Sequence, residues 1–263
     1  MRILVCNDDG IDAPGLAVLE AVANRLSDDV WVVAPDGKRT AGSGAITIAR
    51  DLSMHQRGPR RFSCSGTPAD CVVTAMTWVF ADERRPDLVL SGINDGRNVA
   101  EDLVYSGTLG IAREASFWGV PAIGFSRVKD ADAREEDVGW IAGLVSRLLA
   151  PPRETMLEGH YFSVNLPTAL PAPLRQPRIG RDKIGGRAEV VGGEGDVTLL
   201  RVPRGRSHRS SAGDDNEAVD AGFVTINRLN WFGETPLSVS VLHALSGEAE
   251  GRRVAFEIEE GRV

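Results

Sequence analysis

The sequence is short of cysteine, histidine, net positive charge and long apolar runs, and each shortage removes a class of function. Cys6, Cys64 and Cys71 are the 3 cysteines among 263 residues. An odd number without C-x-x-C spacing argues against both a disulfide framework and a thiolate metal site, and reduced, buried thiols are expected instead. The 4 histidines, His55, His160, His208 and His243, lie away from the polar clusters described below, which argues against histidine-phosphatase chemistry and against zinc. Lys and Arg total 30 against 37 Asp and Glu, a formal charge of −7, so no bulk positive field exists to collect DNA or RNA. No run approaches the ~20 apolar residues of a membrane span. The apolar opening is cut by Asp8 and Asp9 too early for a signal peptide. The expectation is a cytoplasmic protein that engages neither a membrane nor extended nucleic acid.

What is present reads as an α/β chain. Apolar residues make up 42% and charged residues 25%, ordinary values for a globular protein with a sizeable core. Ile3-Leu4-Val5 is a short apolar run without alternation that ends at Asn7-Asp8-Asp9-Gly10, the pattern of a strand buried on both faces that runs into a functional turn. Pro14 suits a first helical position, and Leu16, Leu19, Val22, Ala23 and Leu26 follow at helical spacing, which predicts a helix over 14–27. Val30 to Ala34 is the next strand, closing a β-α-β unit with parallel strands. An irregular stretch is expected around 50–65, then a helix from Thr67, a strand over 87–90, a helix over 108–118 and a strand over 122–125. The pattern predicts a doubly wound, mostly parallel sheet, whose ligands bind beyond the carboxyl ends of the strands. Residues 1–150 hold that core. From Pro151 prolines and glycines crowd the chain, and short runs such as Tyr161 to Val164 and Val197 to Leu200 predict a continuation of the sheet with hairpins, one tipped at 192–195.

The chemistry gathers behind the strands. Asp8 and Asp9 sit at the end of the first one. Two adjacent carboxylates kept ionised need a compensating cation, for which Mg²⁺ or Mn²⁺ is the economical choice. The competing reading is a solvated turn that caps the next helix. Small polar and glycine-rich clusters recur after later strands, at Thr40-Ala41-Gly42-Ser43-Gly44 and at Ser91-Gly92-Ile93-Asn94-Asp95-Gly96-Arg97-Asn98. Thr40 and Asn94 offer hard, neutral oxygens that could complete a cation cage. Tyr105-Ser106-Gly107-Thr108 precedes a helix, where amides and hydroxyls face an anion or simply form an N-cap. The first turn carries carboxylates and no G-x-G-x-x-G, so a dinucleotide dehydrogenase does not fit.

The ordered set Asn7-Asp8-Asp9-Gly10, Ala34-Pro35-Asp36, Gly66-Thr67-Pro68-Ala69-Asp70-Cys71, Ser91-Gly92-Ile93-Asn94 and Tyr105-Ser106-Gly107-Thr108 resembles the SurE survival-protein family of nucleotidases. The resemblance is dense over 1–126 and thins to Val164-Asn165-Leu166-Pro167 and to 218–226. It implies a Rossmann-like core with a β-rich extension over 151–263, whose carboxy-terminal elements are exchanged between protomers of a homodimer or homotetramer. It also implies a cation held by Asp8, Asp9 and Asn94, with Thr40 in the place of the family's usual serine. A threonine keeps the hydroxyl and adds a methyl. Where the family often has a histidine and an aspartate, this chain reads Asn227-Arg228-Leu229-Asn230-Trp231.

The expected reaction is metal-dependent hydrolysis of nucleoside 5′-monophosphates, with 3′-monophosphates as further substrates. Asp8 and Asp9 are the catalytic pair, as ligands or as nucleophile or base. Gly42, Ser43, Asn98, Ser106, Gly107 and Thr108 are expected to position the phosphate. The alternative is a nucleotide or phosphate binder that has lost turnover. The tail from Pro236, with Leu237, Val239, Val241, Leu242 and Leu245, fits helix or strand alike.

Overall fold

The computed structural model describes residues 1–129, 135–150, 156–181, 187–202, 210–233 and 238. Residues Met1–Trp231 make one compact unit and Phe232–Val263 a second. Nearly all of the expected tail lies outside the described residues.

The first unit is built on a nine-stranded sheet in the order β3-β4-β2-β1-β5-β6-β7-β11-β8. Its strands are β1 (Arg2–Cys6), β2 (Asp29–Pro35), β3 (Met54–Gly58), β4 (Arg61–Cys64), β5 (Leu88–Asp95), β6 (Ala122–Arg127), β7 (His160–Leu166), β8 (Leu174–Arg175) and β11 (Val224–Asn230). β1 pairs in parallel with β2 on one side and β5 on the other, with Leu4 opposite Trp31 and Val89. Within this sheet, among the described residues, the antiparallel pairs are β3 with β4 and β11 with β7. The late sequence therefore extends the sheet, as expected, and adds an exposed hairpin of β9 (Glu189–Glu194) and β10 (Val197–Arg201).

Helices cover both faces of the sheet, which is why the central strands read as unbroken apolar runs. Ile3, Val5, Leu88, Leu90, Ile123 and Phe125 pack with Leu16, Leu19 and Val22 of α1 (Pro14–Asn24) and with Val138, Ile141 and Leu144 of α5 (Glu135–Leu149). The alternate residues Leu4, Cys6, Val89 and Ala122 face the other way, against Cys71 and Val72 of α2 (Pro68–Thr74) and Leu109, Ala112 and Ala115 of α4 (Gly107–Phe117). Two apolar layers on one sheet give the period-2 pattern no polar face to show. All 3 cysteines are free and buried.

The stretch expected to be irregular at 50–65 holds the β3–β4 hairpin. β3, Met-His-Gln-Arg-Gly, is an edge strand with three exposed residues, and an edge strand needs no apolar alternation. β5 also runs past the predicted Leu90 to Asp95, so the Ser91–Asn94 cluster is the strand's own carboxyl end.

Candidate active site

Three strand ends and one helix start meet at the rim. At the end of β1 the Asn7 side chain closes the turn around the acidic pair: its amide donates to the Gly10 carbonyl at 2.9 Å and its oxygen accepts from the Gly10 N–H at 3.1 Å. Asp8 and Asp9 are thus held at the tip of a rigid strand.

Asp8 is buried, 5% exposed. Its Oδ1 accepts from the Thr108 hydroxyl at 2.7 Å, and its backbone carbonyl accepts from the Arg39 N–H at 2.7 Å. Burial pushes the carboxyl up to about 6, with the neighbouring Asp9 acting in the same direction and Thr108 and Lys38 opposing it. Asp9 has both carboxylate oxygens engaged. Oδ1 meets the Lys38 ammonium at 2.7 Å, and Oδ2 accepts from the Asp95 N–H at 3.2 Å. On β5, Asn94 donates its side-chain N–H to the Gly96 carbonyl at 2.7 Å, which fixes the orientation of its amide.

The start of α4 closes the other side of the site. Ser106 is its N-cap, its hydroxyl accepting from the Leu109 N–H at 3.1 Å. Gly107 follows with no room for a side chain: a Cβ there would stand 2.7 Å from Asp8 Cβ and 2.8 Å from Asp8 Oδ2. The first turn of an 11-residue helix, its positive dipole end, therefore packs directly against Asp8.

The glycine-rich turn divides. Thr40 is exposed in it, while Gly42 lies against the Pro68 ring. Ser43 is committed to protein: its hydroxyl donates to the Val104 carbonyl at 2.6 Å and accepts from Arg113 at 3.3 Å, and its N–H donates to the Tyr105 carbonyl at 3.1 Å. Gly110 lets this turn close on α4, since a Cβ there would overlap the Ser43 carbonyl oxygen at 2.0 Å. Asn98 is a brace. Its N–H donates to Asn165 Oδ1 at 2.8 Å, its side chain donates to Ser126 Oγ at 2.6 Å, and its carbonyl accepts from Asn165 at 3.0 Å. Asp8, Asp9, Gly107 and Thr108 thus make one cluster, Asn94 joins it through the adjoining Asp95 amide, and Ser43 and Asn98 hold loops.

Several residues that build the site fall outside the set expected from the sequence to carry its chemistry. Lys38 is one. Asp70 accepts from the Thr47 N–H and hydroxyl and from the Thr67 N–H, tying the glycine turn to α2. Asp215, in α6 (Asp215–Asp220), accepts from the Ala100 N–H at 2.8 Å and the Gly180 N–H at 2.9 Å, anchoring the turn that leads to Ser106. Asp220 adds an ion pair to Arg97 at 2.6 Å.

A cavity of about 620 Å³ lined by Val104, Arg113, Tyr161, Arg228 and Trp231 runs beside α4. Trp231 in its lining meets Phe117 of α4 edge to face, with ring centroids 5.3 Å apart. Among the described residues no group of three or more His, Cys, Asp or Glu side chains could hold a metal ion. A cation at the rim would rest on the two aspartates and on neutral oxygens.

Comparison with known proteins agrees with this architecture. The family model described as Survival protein SurE matches residues 3–185. A 5′-nucleotidase SurE of Rhodospirillum rubrum is 38% identical over 237 residues, 87% of this chain and 89% of that protein. A 5′-nucleotidase SurE of Nitrobacter winogradskyi is 35% identical over 248 residues, 94% of this chain and 90% of that protein. The crystal structure of the SurE protein from Aquifex aeolicus superimposes with a TM-score of 0.75 at 28% identity, covering 94% of this chain and 100% of that one. With a family model over more than half its length and relatives above 30% identity over most of it, the chain belongs to the SurE family.

Proposed function

We propose that the chain is a metal-dependent phosphomonoesterase that converts nucleoside 5′-monophosphates, and 3′-monophosphates as further substrates, to nucleoside and inorganic phosphate. The names of its relatives support the nucleotidase class. The observation that carries the reading is the contact of the α4 N-terminus with Asp8, an anion seat built against a carboxylate pair. An anion is stable there only if a cation offsets the two carboxylates.

The donor set fits a hard divalent ion. Asp8 is a buried carboxylate whose charge is disfavoured by its surroundings, and Asp9, the Asn94 amide and the Thr40 hydroxyl would complete the ligands. Mg²⁺ or Mn²⁺ suits oxygen donors of this kind. When bound, the ion supplies charge neutralisation at the phosphoryl oxygens and at the attacking water. The protein does the rest. Gly107 and Thr108 present backbone N–H groups to the phosphate, Ser106 keeps that helix start in place, and the turn at Gly42 and Ser43 walls the seat against α4. Thr108 holds the Asp8 carboxylate at one oxygen. Asp8 or Asp9 acts as ligand, base or nucleophile.

Assembly into a homodimer or homotetramer is part of the proposal. It is supported by the β9–β10 hairpin, where Val190, Val197, Leu199 and Leu200 are exposed, an apolar surface unusual for a monomer. A cytoplasmic site of action is supported by the free, buried cysteines.

The test is phosphate release from a panel of nucleoside 5′- and 3′-monophosphates, after chelation and after return of Mg²⁺ or Mn²⁺. Release that requires the ion and collapses in D9N is expected. Release indifferent to chelation would refute the reading. Nucleotides that raise the melting temperature without any turnover would leave the binder alternative standing.

A further inference from the structure

Asp9 is held in two different ways, and the difference has a chemical consequence. Its Oδ2 accepts from a backbone amide, that of Asp95 at 3.2 Å, a donor that cannot leave without moving β5. Its Oδ1 meets Lys38 Nζ at 2.7 Å, and the lysine side chain is 54% exposed while that of Asp9 is 11% exposed. Lys38 sits within the electrostatic reach of Asp8 and Asp95 as well as Asp9, so one ammonium serves a group of three carboxylates. The backbone of its turn is pinned, with the Arg39 N–H on the Asp8 carbonyl at 2.7 Å and the Ile11 N–H on the Pro35 carbonyl at 2.8 Å. The side chain is a flexible four-carbon stem with access to water. It can swing away while everything around it stays.

We propose that Lys38 is an internal competitor for the divalent cation: its ammonium holds Asp9 Oδ1 until the ion takes that oxygen, and its charge lowers the affinity of the site. This rests on the reading of Asp8 and Asp9 as cation ligands. An ion pair whose ammonium is more than half exposed is held only weakly at that end, so a doubly charged ion displaces it readily. The ammonium nevertheless remains tethered a few ångströms away, where like charge opposes the ion. Thr108, the partner of Asp8, is a neutral hydroxyl and exerts no such opposition. Lys38 is thus a positioning residue for Asp9 in the metal-free protein and a brake on ion binding.

The experiment is a Mn²⁺ titration of the full chain without substrate, read by the electron paramagnetic resonance signal of free Mn²⁺, for wild type, K38M, K38Q, K38R and D9N. Removing one unit charge a few ångströms from a dication in a solvent-like dielectric predicts binding about tenfold tighter in K38M and K38Q. K38R, which keeps the charge, should bind within about threefold of wild type. The metal-free K38M and K38Q proteins should melt below wild type, and Mn²⁺ should raise their melting temperatures by more. K38M and K38Q affinities equal to or weaker than wild type, with D9N still impaired, would overturn the competitor and leave the site reading intact. If D9N binds Mn²⁺ as wild type does, the site reading fails and the competitor fails with it. Two neutral variants of different polarity guard against a folding defect in either.

Discussion

Gly107→Ala is the sharpest perturbation of the anion seat, because it adds one methyl at the place where helix and carboxylate touch. That methyl would stand 2.7 Å from Asp8 Cβ, 2.8 Å from Asp8 Oδ2 and 3.0 Å from Pro68 Cγ. Ordinary contact starts at 3.4 Å, so Asp8 or α4 must retreat by roughly 0.7 Å, and neither can do so cheaply. Asp8 follows two residues after a strand whose residues 3–6 are wholly buried, and Pro68 blocks the other side. Overpacking of this size costs about 1–3 kcal/mol, offset in part by the better helix propensity of alanine, up to about 1 kcal/mol. With that offset the net is at most about 2 kcal/mol, a melting temperature lower by up to about 8 °C for a unit of this length. The catalytic loss should be larger than the stability loss implies, since a displacement approaching 1 Å between reacting groups costs on the order of a hundredfold. The assay is kcat/KM for 5′-AMP with Mn²⁺, with a parallel melting curve. Gly37→Ala is the control, because a Cβ at Gly37 meets nothing within 4 Å, and its activity should stay within about twofold of wild type. A Gly107→Ala enzyme with nearly normal kcat/KM would refute the claim that the phosphate sits between Asp8 and the α4 N-terminus.

Other consequences follow from the same contacts. Burial raises the Asp8 carboxyl from the ordinary aspartate value of about 3.8 to about 6, so the native state holds its proton more tightly than the unfolded chain and loses stability as the pH rises through 4 to 6. In the metal-free protein, denaturant titrations should show wild type falling relative to Asp8→Asn across that window by at most about 3 kcal/mol; a pH-independent difference would contradict the burial argument. Asp215→Ala strands the buried N–H groups of Ala100 and Gly180, at about 1–3 kcal/mol each. It should lower the melting temperature and raise KM for the nucleotide more than it lowers kcat. Leu199→Glu on the β9–β10 hairpin should shift the species seen by light scattering toward the single chain, and an unchanged mass would remove the hairpin from the assembly.

The central architecture was legible because burial on two faces writes itself into composition. Ile3-Leu4-Val5 and Leu88-Val89-Leu90 send alternate residues into two separate cores, so each strand is apolar throughout and flanked by turn residues. Pro14 and the α1 spacing are equally local signals. The β3–β4 hairpin was not legible, because an edge strand with Gln56 and Arg57 exposed satisfies no packing rule that a sequence displays. The carboxyl end of β5 is hidden from the sequence for a related reason: Ser91, Gly92 and Asn94 have low strand propensity, yet Ser91 and Asn94 still pair with Gly124 and Ser126 of β6 across an irregular register.

The site was legible only at the level of its strand ends. That Asp8, Thr40, Asn94 and Ser106 each lie beyond or at the end of a parallel strand or at a helix start follows from the topology. Which of them touch does not follow. Thr108 meets Asp8 across 100 positions, Asp215 reaches Ala100 across 115, and Asn98 turns out to brace Asn165 and Ser126. Such contacts depend on rotamers and on loop paths of a few ångströms, which no periodicity encodes. Lys38 makes the point most clearly. In Asp36-Gly37-Lys38-Arg39 it is one cation among solvated turn residues, and only the fold, by bringing the ends of β1 and β2 side by side, sets its ammonium against Asp9. A carboxylate pair read from sequence alone looks uncompensated and calls for a metal. The folded chain carries a monovalent counter-ion of its own in Lys38, so on the proposed reading a divalent ion would have to displace that ammonium from Asp9.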